Sequence, residues 1–249
     1  MAGYQLKLKR KQQVAEGTLA LYFDKPDDFS FKAGQCVRLG LVDPPETDGE
    51  GSGRILSLAS TPTEPELMVA TRIRDSAFKR VLNTLTSGAE LTLKGPYGDF
   101  TLPADPSREL VFITGGIGIT PVRSMLLQAI AENQADTRAD ENKGRKMTLF
   151  YANRRPEDAA FLDELAQACA TDPFCTLVAT MSQADQSVQH WQGERGYVDE
   201  AMLGRHLTDV TKPLYYLDGP PGMVAAMKIM LVDAGVAEDR LRTEEFAGY

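Results

Sequence analysis

The strongest constraint on the fold of this chain is a change in hydrophobic patterning near Pro103–Arg108. Before that point, short runs at 5–14, 18–23, 36–41, 54–59, 67–73 and 90–94 read as strands separated by turn residues. Six short strands at this spacing predict an antiparallel barrel or sandwich. One helix interrupts them, opening near Asp75 and Ser76, both natural N-caps, and closing near Gly88. After Arg108 the runs at 110–113, 147–151, 174–180 and 214–217 are mostly apolar, as strands covered on both faces are. Between them, Val122, Met125, Leu126, Ala129 and Ile130, and again Met223, Ala226, Met227, Met230 and Leu231, follow the spacing of one buried helical face. The methionines read as core filler. This half is a parallel α/β sheet, and the chain divides into domains 1–104 and 105–249.

Composition removes several function classes. Lys plus Arg is 27 and Asp plus Glu is 35, a net charge of −8, which argues against wrapping a nucleic-acid backbone. No apolar run reaches the roughly 18–20 residues that cross a bilayer, so no membrane insertion is expected. Residues 1–13 alternate Lys and Arg with apolar residues and lack a signal-peptide core, which predicts a cytoplasmic protein. Cys36, Cys169 and Cys175 are scattered and odd in number, so neither a disulfide framework nor an iron–sulfur centre is expected. His190 and His206 lack partners at ligand spacing, which leaves no His-rich metal site and argues against a Ser–His–Asp triad. The hard chemistry falls to a bound organic cofactor. The acidic, Gly- and Pro-rich segment 43–53 reads as a mobile surface connection, and 133–146 as a solvated excursion.

Three segments carry chemistry. In the run from Phe112 to Pro121 a buried strand meets Gly115, Gly116 and Gly118, then Ile119, then Thr120 as N-cap and Pro121 at the first helical position. Glycines let backbone N–H groups approach a ligand, and a helix start favours negative charge, so this is a pyrophosphate cradle or else a tight turn. The third glycine of G-x-G-x-x-G is missing. Gly219, Pro220, Pro221, Gly222 and Met223 follow the last of these apolar strands, where ligands collect in open α/β sheets. Alone it reads as a rigid turn; paired with the first, it suggests a shared site. In the first half, Arg54 and Leu56 alternate with Ile55 and Ser57 on a strand. Arg72 and Arg74 precede a helix start at Ser76, Ala77, Phe78 and Lys79, and an arginine fork suits phosphate oxygens.

The order Phe31-Lys32-Ala33-Gly34-Gln35, Arg54-x-Leu56-Ser57, Gly95-Pro96-Tyr97-Gly98-Asp99-Phe100, Gly115 to Pro121 and Gly219 to Met223 resembles the ferredoxin–NADP reductase superfamily of FAD-dependent NAD(P)H oxidoreductases. The resemblance spans essentially the whole chain. It implies a six-stranded antiparallel Greek-key barrel that binds FAD, then a parallel α/β nucleotide-binding domain, with the flavin between them. It gives Arg54 the flavin pyrophosphate and Ser57 a hydrogen bond near flavin N5. Ile55, Leu56, Ala70, Thr71, Arg72 and the Ser76–Lys79 helix start complete the flavin site. Gly115–Pro121 would hold the nicotinamide pyrophosphate, and Gly219, Pro220, Pro221 and Met223 would border the nicotinamide. Relatives place a terminal aromatic over the flavin, which points to Phe246 or Tyr249.

Three departures stand out. Leu56 replaces the usual aromatic, which removes stacking on one flavin face. Asp218 stands where a Cys is common, and either positions the carboxamide or caps the following helix. The cysteine cluster of an attached ferredoxin is missing, so electrons are expected to leave to a separate acceptor. Ser57, Asp218 and Tyr249 are the expected catalytic residues. Asn153, Arg154 and Arg155 close the second α/β strand; the arginines either grip a 2′-phosphate, which would mean NADPH, or form a solvated pair, with Glu157 and Asp158 serving the helix dipole. The expected activity is hydride transfer from NADPH or NADH to FAD, then electron delivery to a protein or small acceptor. The rivals are a flavin-bearing relay or regulatory subunit without its own turnover, and a flavin-free nucleotide sensor.

Overall fold

Each half of the chain curls around its own sheet, and the two sheets differ in how their strands connect. The structure is a computed structural model that describes residues 3–135 and 144–245. Strands β1 (Gly3–Ala15), β2 (Thr18–Asp24), β3 (Cys36–Leu41), β4 (Gly53–Ser57), β5 (Glu66–Arg72) and β6 (Glu90–Tyr97) pair antiparallel in the order β4-β3-β6-β1-β2-β5. A bridge between Leu58 and Val69 joins the two outer strands and closes the barrel. Its interior is lined by the alternate apolar residues of each strand, among them Leu21, Val37, Leu39, Val69, Leu91 and Leu93. Helix α1 (Ala77–Thr84) plugs this core with Phe78, Val81 and Leu82. Each such side chain contributes about 1.5–3 kcal/mol by leaving water.

The second half alternates strand and helix. It runs β7 (Leu110–Gly115), α2 (Ile119–Ala135), β8 (Met147–Asn153), α3 (Leu162–Ala170), β9 (Cys175–Met181), β10 (Glu194–Arg195), α4 (Glu200–His206), β11 (Leu214–Gly219), α5 (Pro221–Asp233) and β12 (Leu241–Glu245). All pairs are parallel, in the order β10-β9-β8-β7-β11-β12. The chain steps outward from β7 to β10, then returns to the other side of β7 with β11. That reversal opens a crevice between β7 and β11 at the carboxyl ends of the strands, where ligands bind in such sheets.

The sequence pattern does not reveal α3, α4, β10 or β12. Helix α3 buries Leu165 and Cys169 and α4 buries Met202 and Leu203, which is too little apolar surface to register as a period. Strand β12 is mostly polar and owes its conformation to pairing with β11. The cysteines need a correction too: Cys169 and Cys175 form a disulfide, because the turn from α3 into β9 brings their Cα atoms to 4.9 Å. One link across six residues is not a framework, but it does use two of the three cysteines.

The two sheets are fastened through α2. The buried Arg123 donates to the Ala59 carbonyl, reaches Glu64 on the barrel and Glu164 on α3, and lies 5.3 Å from the Phe161 ring centre. Beside it, the Ser124 hydroxyl donates to the Ser60 carbonyl at 2.6 Å. The segment 43–53, expected as a mobile connection, is held down by its acids: Glu46 meets Arg80, while Asp48 and Glu50 both meet Arg54.

Candidate functional site

A cleft of about 260 Å³ opens on the barrel side of the junction, lined by β4, β5, the start of α1, Ile117 and Thr120. Alternation predicts Arg54 and Leu56 on one face of β4 and Ile55 and Ser57 on the other, yet all four border the cleft. Ile55 is exposed, Leu56 packs partly on the barrel core, and Ser57 is buried with no partner for its hydroxyl. Ala70, Thr71 and Arg72 of β5 form the opposite wall.

The cleft gathers Arg54, Arg72, Arg74 and Lys79 together with the acids Glu50 and Asp75. Ser76 caps α1 by accepting from the Lys79 N–H, and the Ala77 N–H meets the Asp48 carboxylate. Burial, then the charges of Arg74 and Arg54, pulls the Lys79 ammonium below its ordinary value. Arg72 donates to the Asp158 carbonyl at 3.0 Å while its buried Nε has no partner. Arg54 stacks 5.1 Å from the Phe78 ring centre and pairs with Asp48 and Glu50, each at 2.8 Å. The Asp48 carboxyl is held below its usual range by the Arg54 guanidinium.

Across the junction, β7 ends at Gly115 and a 3-10 turn, Gly116–Gly118, leads into α2. The helix therefore starts earlier than predicted. Thr120 is not an N-cap; it sits in the first turn with Pro121, and its hydroxyl donates to the Ile117 carbonyl at 3.0 Å. A Cβ on Gly118 would lie 2.6 Å from the Asp218 carbonyl oxygen and 2.9 Å from the Gly219 nitrogen. Gly219 has φ of +153°, which glycine tolerates, and a Cβ there would lie 3.1 Å from the Gly115 nitrogen. The two glycine turns thus interlock at the crevice between β7 and β11. Pro220 precedes α5, Pro221 opens it, and the Met223 sulfur lies against Gly115.

At that crevice the sheet places Thr114, Asp218 and Glu244 in one register row across β7, β11 and β12. The Thr114 hydroxyl, both Asp218 carboxyl oxygens and one Glu244 oxygen are buried without hydrogen-bond partners. Burial, then the neighbouring Glu244, raises the Asp218 carboxyl well above its ordinary value, so Asp218 is not the simple helix cap considered from sequence. Burial, then Asp99, pushes Glu244 up to about 7. Glu244 also acts on Cys36, whose thiol burial pushes up to about 11. Cys36 pairs in register with Ser57, so barrel and sheet meet at these groups.

The end of β8 departs from both sequence alternatives. Arg154 and Arg155 are neither a free anion grip nor a merely solvated pair: both bind the buried Asp158, at 3.3 and 3.1 Å, and Arg155 also binds Glu16 at 2.7 Å. Asp158 closes a 3-10 turn, Pro156–Asp158, rather than serving a helix dipole. Asn153 is buried with its amide oxygen and nitrogen both unpartnered. Phe246 and Tyr249 lie outside the described residues. Sequence reasoning missed Asp48, Glu50, Glu244 and the counter-ion role of Asp158; a lone acid in an acidic chain carries no signal until a register or an arginine gives it a partner.

These residues suit an extended ligand with two anionic centres and a polar ring. Cationic side chains and a helix start line the cleft together with the unpartnered Ser57 hydroxyl and Arg72 Nε, and unpartnered polar atoms of Asn153 and Asp218 stand at the ends of β8 and β11. Over residues 112–228 the chain matches the oxidoreductase NAD-binding domain family. It is 30% identical over 232 residues to the glycine betaine monooxygenase reductase subunit of Chromohalobacter salexigens, covering 92% of this chain and 60% of that protein. It is 28% identical over 225 residues to the propane 2-monooxygenase reductase component of Rhodococcus jostii, covering 89% and 57% respectively. The chain thus spans about three-fifths of the length of these relatives. Among solved structures it superposes on a ferredoxin NADP+ reductase from Neisseria gonorrhoeae with bound FAD and NADP. That match has a TM-score of 0.78 and 21% identity, and covers 98% of this chain and 97% of the other.

Proposed function

We propose that the chain is a member of the ferredoxin–NADP reductase superfamily that takes hydride from NAD(P)H onto FAD and passes electrons to a separate acceptor. The observation that carries this reading is the meeting of a cleft lined by arginines and Lys79 with a glycine-built crevice at one junction, with unpartnered polar groups at each. A bound flavin would supply the chemistry of hydride and electron transfer. The protein binds, orients and excludes water.

Arg54, Arg72, Lys79 and the first turn of α1, from the Ser76 cap through Ala77 and Phe78, hold the flavin phosphates. Ala70 and Thr71 form the wall beneath them. Ser57 meets the flavin ring, Ile55 and Leu56 flank it, and Leu56 provides dispersion where an aromatic would stack. Gly115, Gly116, Gly118, Ile119, Thr120 and Pro121 hold the coenzyme pyrophosphate against the start of α2. Gly219, Pro220, Pro221 and Met223 border the nicotinamide, with Asp218 behind them, while Asn153, Arg154 and Arg155 take the ribose edge. The division at 104/105 separates the flavin and coenzyme duties. The names of the two relatives, both reductase parts of monooxygenase systems, favour an oxygenase component as acceptor. No helix among the described residues is long and apolar enough to cross a membrane.

The test is the purified chain under anaerobic conditions. A flavin band near about 450 nm that bleaches on adding NADH or NADPH is expected. A colourless protein that takes up no FAD, or a flavin untouched by either coenzyme, overturns the reading.

A further inference from the structure

The rim at the end of β8 is built from both halves of the molecule. The turn between β1 and β2 reaches across, and the Glu16 N–H donates to the Glu157 carbonyl at 2.8 Å. This brings the Glu16 carboxylate to 2.7 Å from an Arg155 Nη2 whose other contact, at 3.2 Å, is Asp158. The Asp158 carboxyl also takes Arg155 Nε at 3.1 Å and Arg154 at 3.3 Å, and its own carbonyl receives Arg72 from the barrel. The Asp158 side chain is only 4% exposed, so it is an interior counter-ion for both arginines. Glu157 is directed elsewhere, onto the Ser187 hydroxyl and the Val188 N–H.

Both guanidiniums thus face carboxylates, Arg154 the Asp158 side chain and Arg155 those of Asp158 and Glu16, and the Nε and Nη2 of Arg155 are already engaged. In sheets of this kind the end of the second strand meets the coenzyme's adenosine ribose: an acid there favours a free 2′-hydroxyl, and an uncommitted arginine favours a 2′-phosphate. A 2′-phosphate would bring close to two negative charges beside Asp158 and Glu16. A hydroxyl would instead be a neutral donor and acceptor, which is what the unpartnered Asn153 amide can satisfy.

We infer that this rim selects the coenzyme lacking a 2′-phosphate, NADH over NADPH, and that Asp158, supported by Glu16, is the specificity-determining residue. The inference rests on the coenzyme reading given above. It is tested on the FAD-loaded full chain by calorimetric titration with ADP-ribose and with 2′-phospho-ADP-ribose. The wild type is expected to bind ADP-ribose at least about tenfold more tightly. Asp158→Asn with Glu16→Gln is expected to shift that ratio toward the phosphorylated ligand by about tenfold, and adding Arg154→Ala and Arg155→Ala to abolish the shift. Glu16→Gln alone removes an exposed carboxylate that the fold does not need, and is expected to move the ratio the same way by about threefold. Binding of both ligands with the phosphorylated one preferred by the wild type, or a ratio that neither variant moves, overturns the inference and leaves the reductase reading standing. Failure of the wild type to bind either ligand overturns the coenzyme reading, and the inference with it.

Discussion

At the barrel, α1 begins beside Arg54, Arg72 and Lys79; at the parallel sheet, α2 begins behind Gly115, Gly116 and Gly118 and is bordered by the acids Asp218 and Glu244. Both are helix starts, and a helix start alone offers a modest attraction for anions, about 0.3–1 kcal/mol at an exposed site. The barrel adds charge to it, and its ligand contact should tighten at low salt. The sheet adds closeness, since Gly118 and Gly219 let its two turns pack backbone against backbone. A ligand that stays bound suits the first arrangement, and one that exchanges each turnover suits the second.

The comparison breaks most readily at Gly118. Gly118→Ala puts a methyl 2.6 Å from the Asp218 carbonyl, a backbone atom that cannot swing aside. Coenzyme affinity should fall at least about a hundredfold while the FAD content after desalting stays at the wild-type level; a coenzyme titration and the flavin absorbance read the two halves separately. Equal losses of both would show that the cradles are not independent.

Arg54→Ala tests the charged cradle. Losing a charge-assisted phosphate contact should weaken FAD binding about tenfold or more, and the variant's remaining affinity should depend less on ionic strength. Full flavin occupancy after desalting would remove Arg54 from the site. Arg123→Met comes next, because Arg123 holds the two cradles in register. Leaving the Ala59 carbonyl and two carboxylates without it should cost about 1–3 kcal/mol, seen as a lower denaturation midpoint.

The smallest effect is expected at Glu244. Folded, it keeps its proton up to about 7, whereas unfolded it gives the proton up near 4.5. Between those values the folded chain binds more protons, so this group lowers stability as pH rises. Glu244→Gln should therefore gain stability over the wild type on going from about pH 5 to pH 8, read as a widening difference in denaturation midpoint. A difference that is constant with pH would mean that Glu244 titrates normally.

Much of the two helix starts and their turns was legible beforehand. Ser76 acts through local capping, so its meaning survives in a bare sequence, whereas Gly118 and Gly219 are visible as turn residues but are required by the packing of one turn against the other. The strand runs of both sheets were legible through their apolar periods. Glu244 was not, because β12 has a single buried apolar residue and becomes a strand by lying against β11. Arg154 and Arg155 were visible as charges, but whether they were available was not. That turned on Asp158 three and four residues on, and on Glu16 far up the chain.

The sequence by itself determined the two sheet types, the helix starts and the glycine turns, since hydrophobic period, capping residues and permitted φ values are properties of short stretches. Tertiary structure alone decided which charges cancel and which carboxyls go unpaired. Arg155 meets Glu16, and Asp218 lies beside Glu244, only after distant segments are packed together. Electrostatic energy depends on separation in space and on the water excluded between groups, and neither quantity is written in the order of residues.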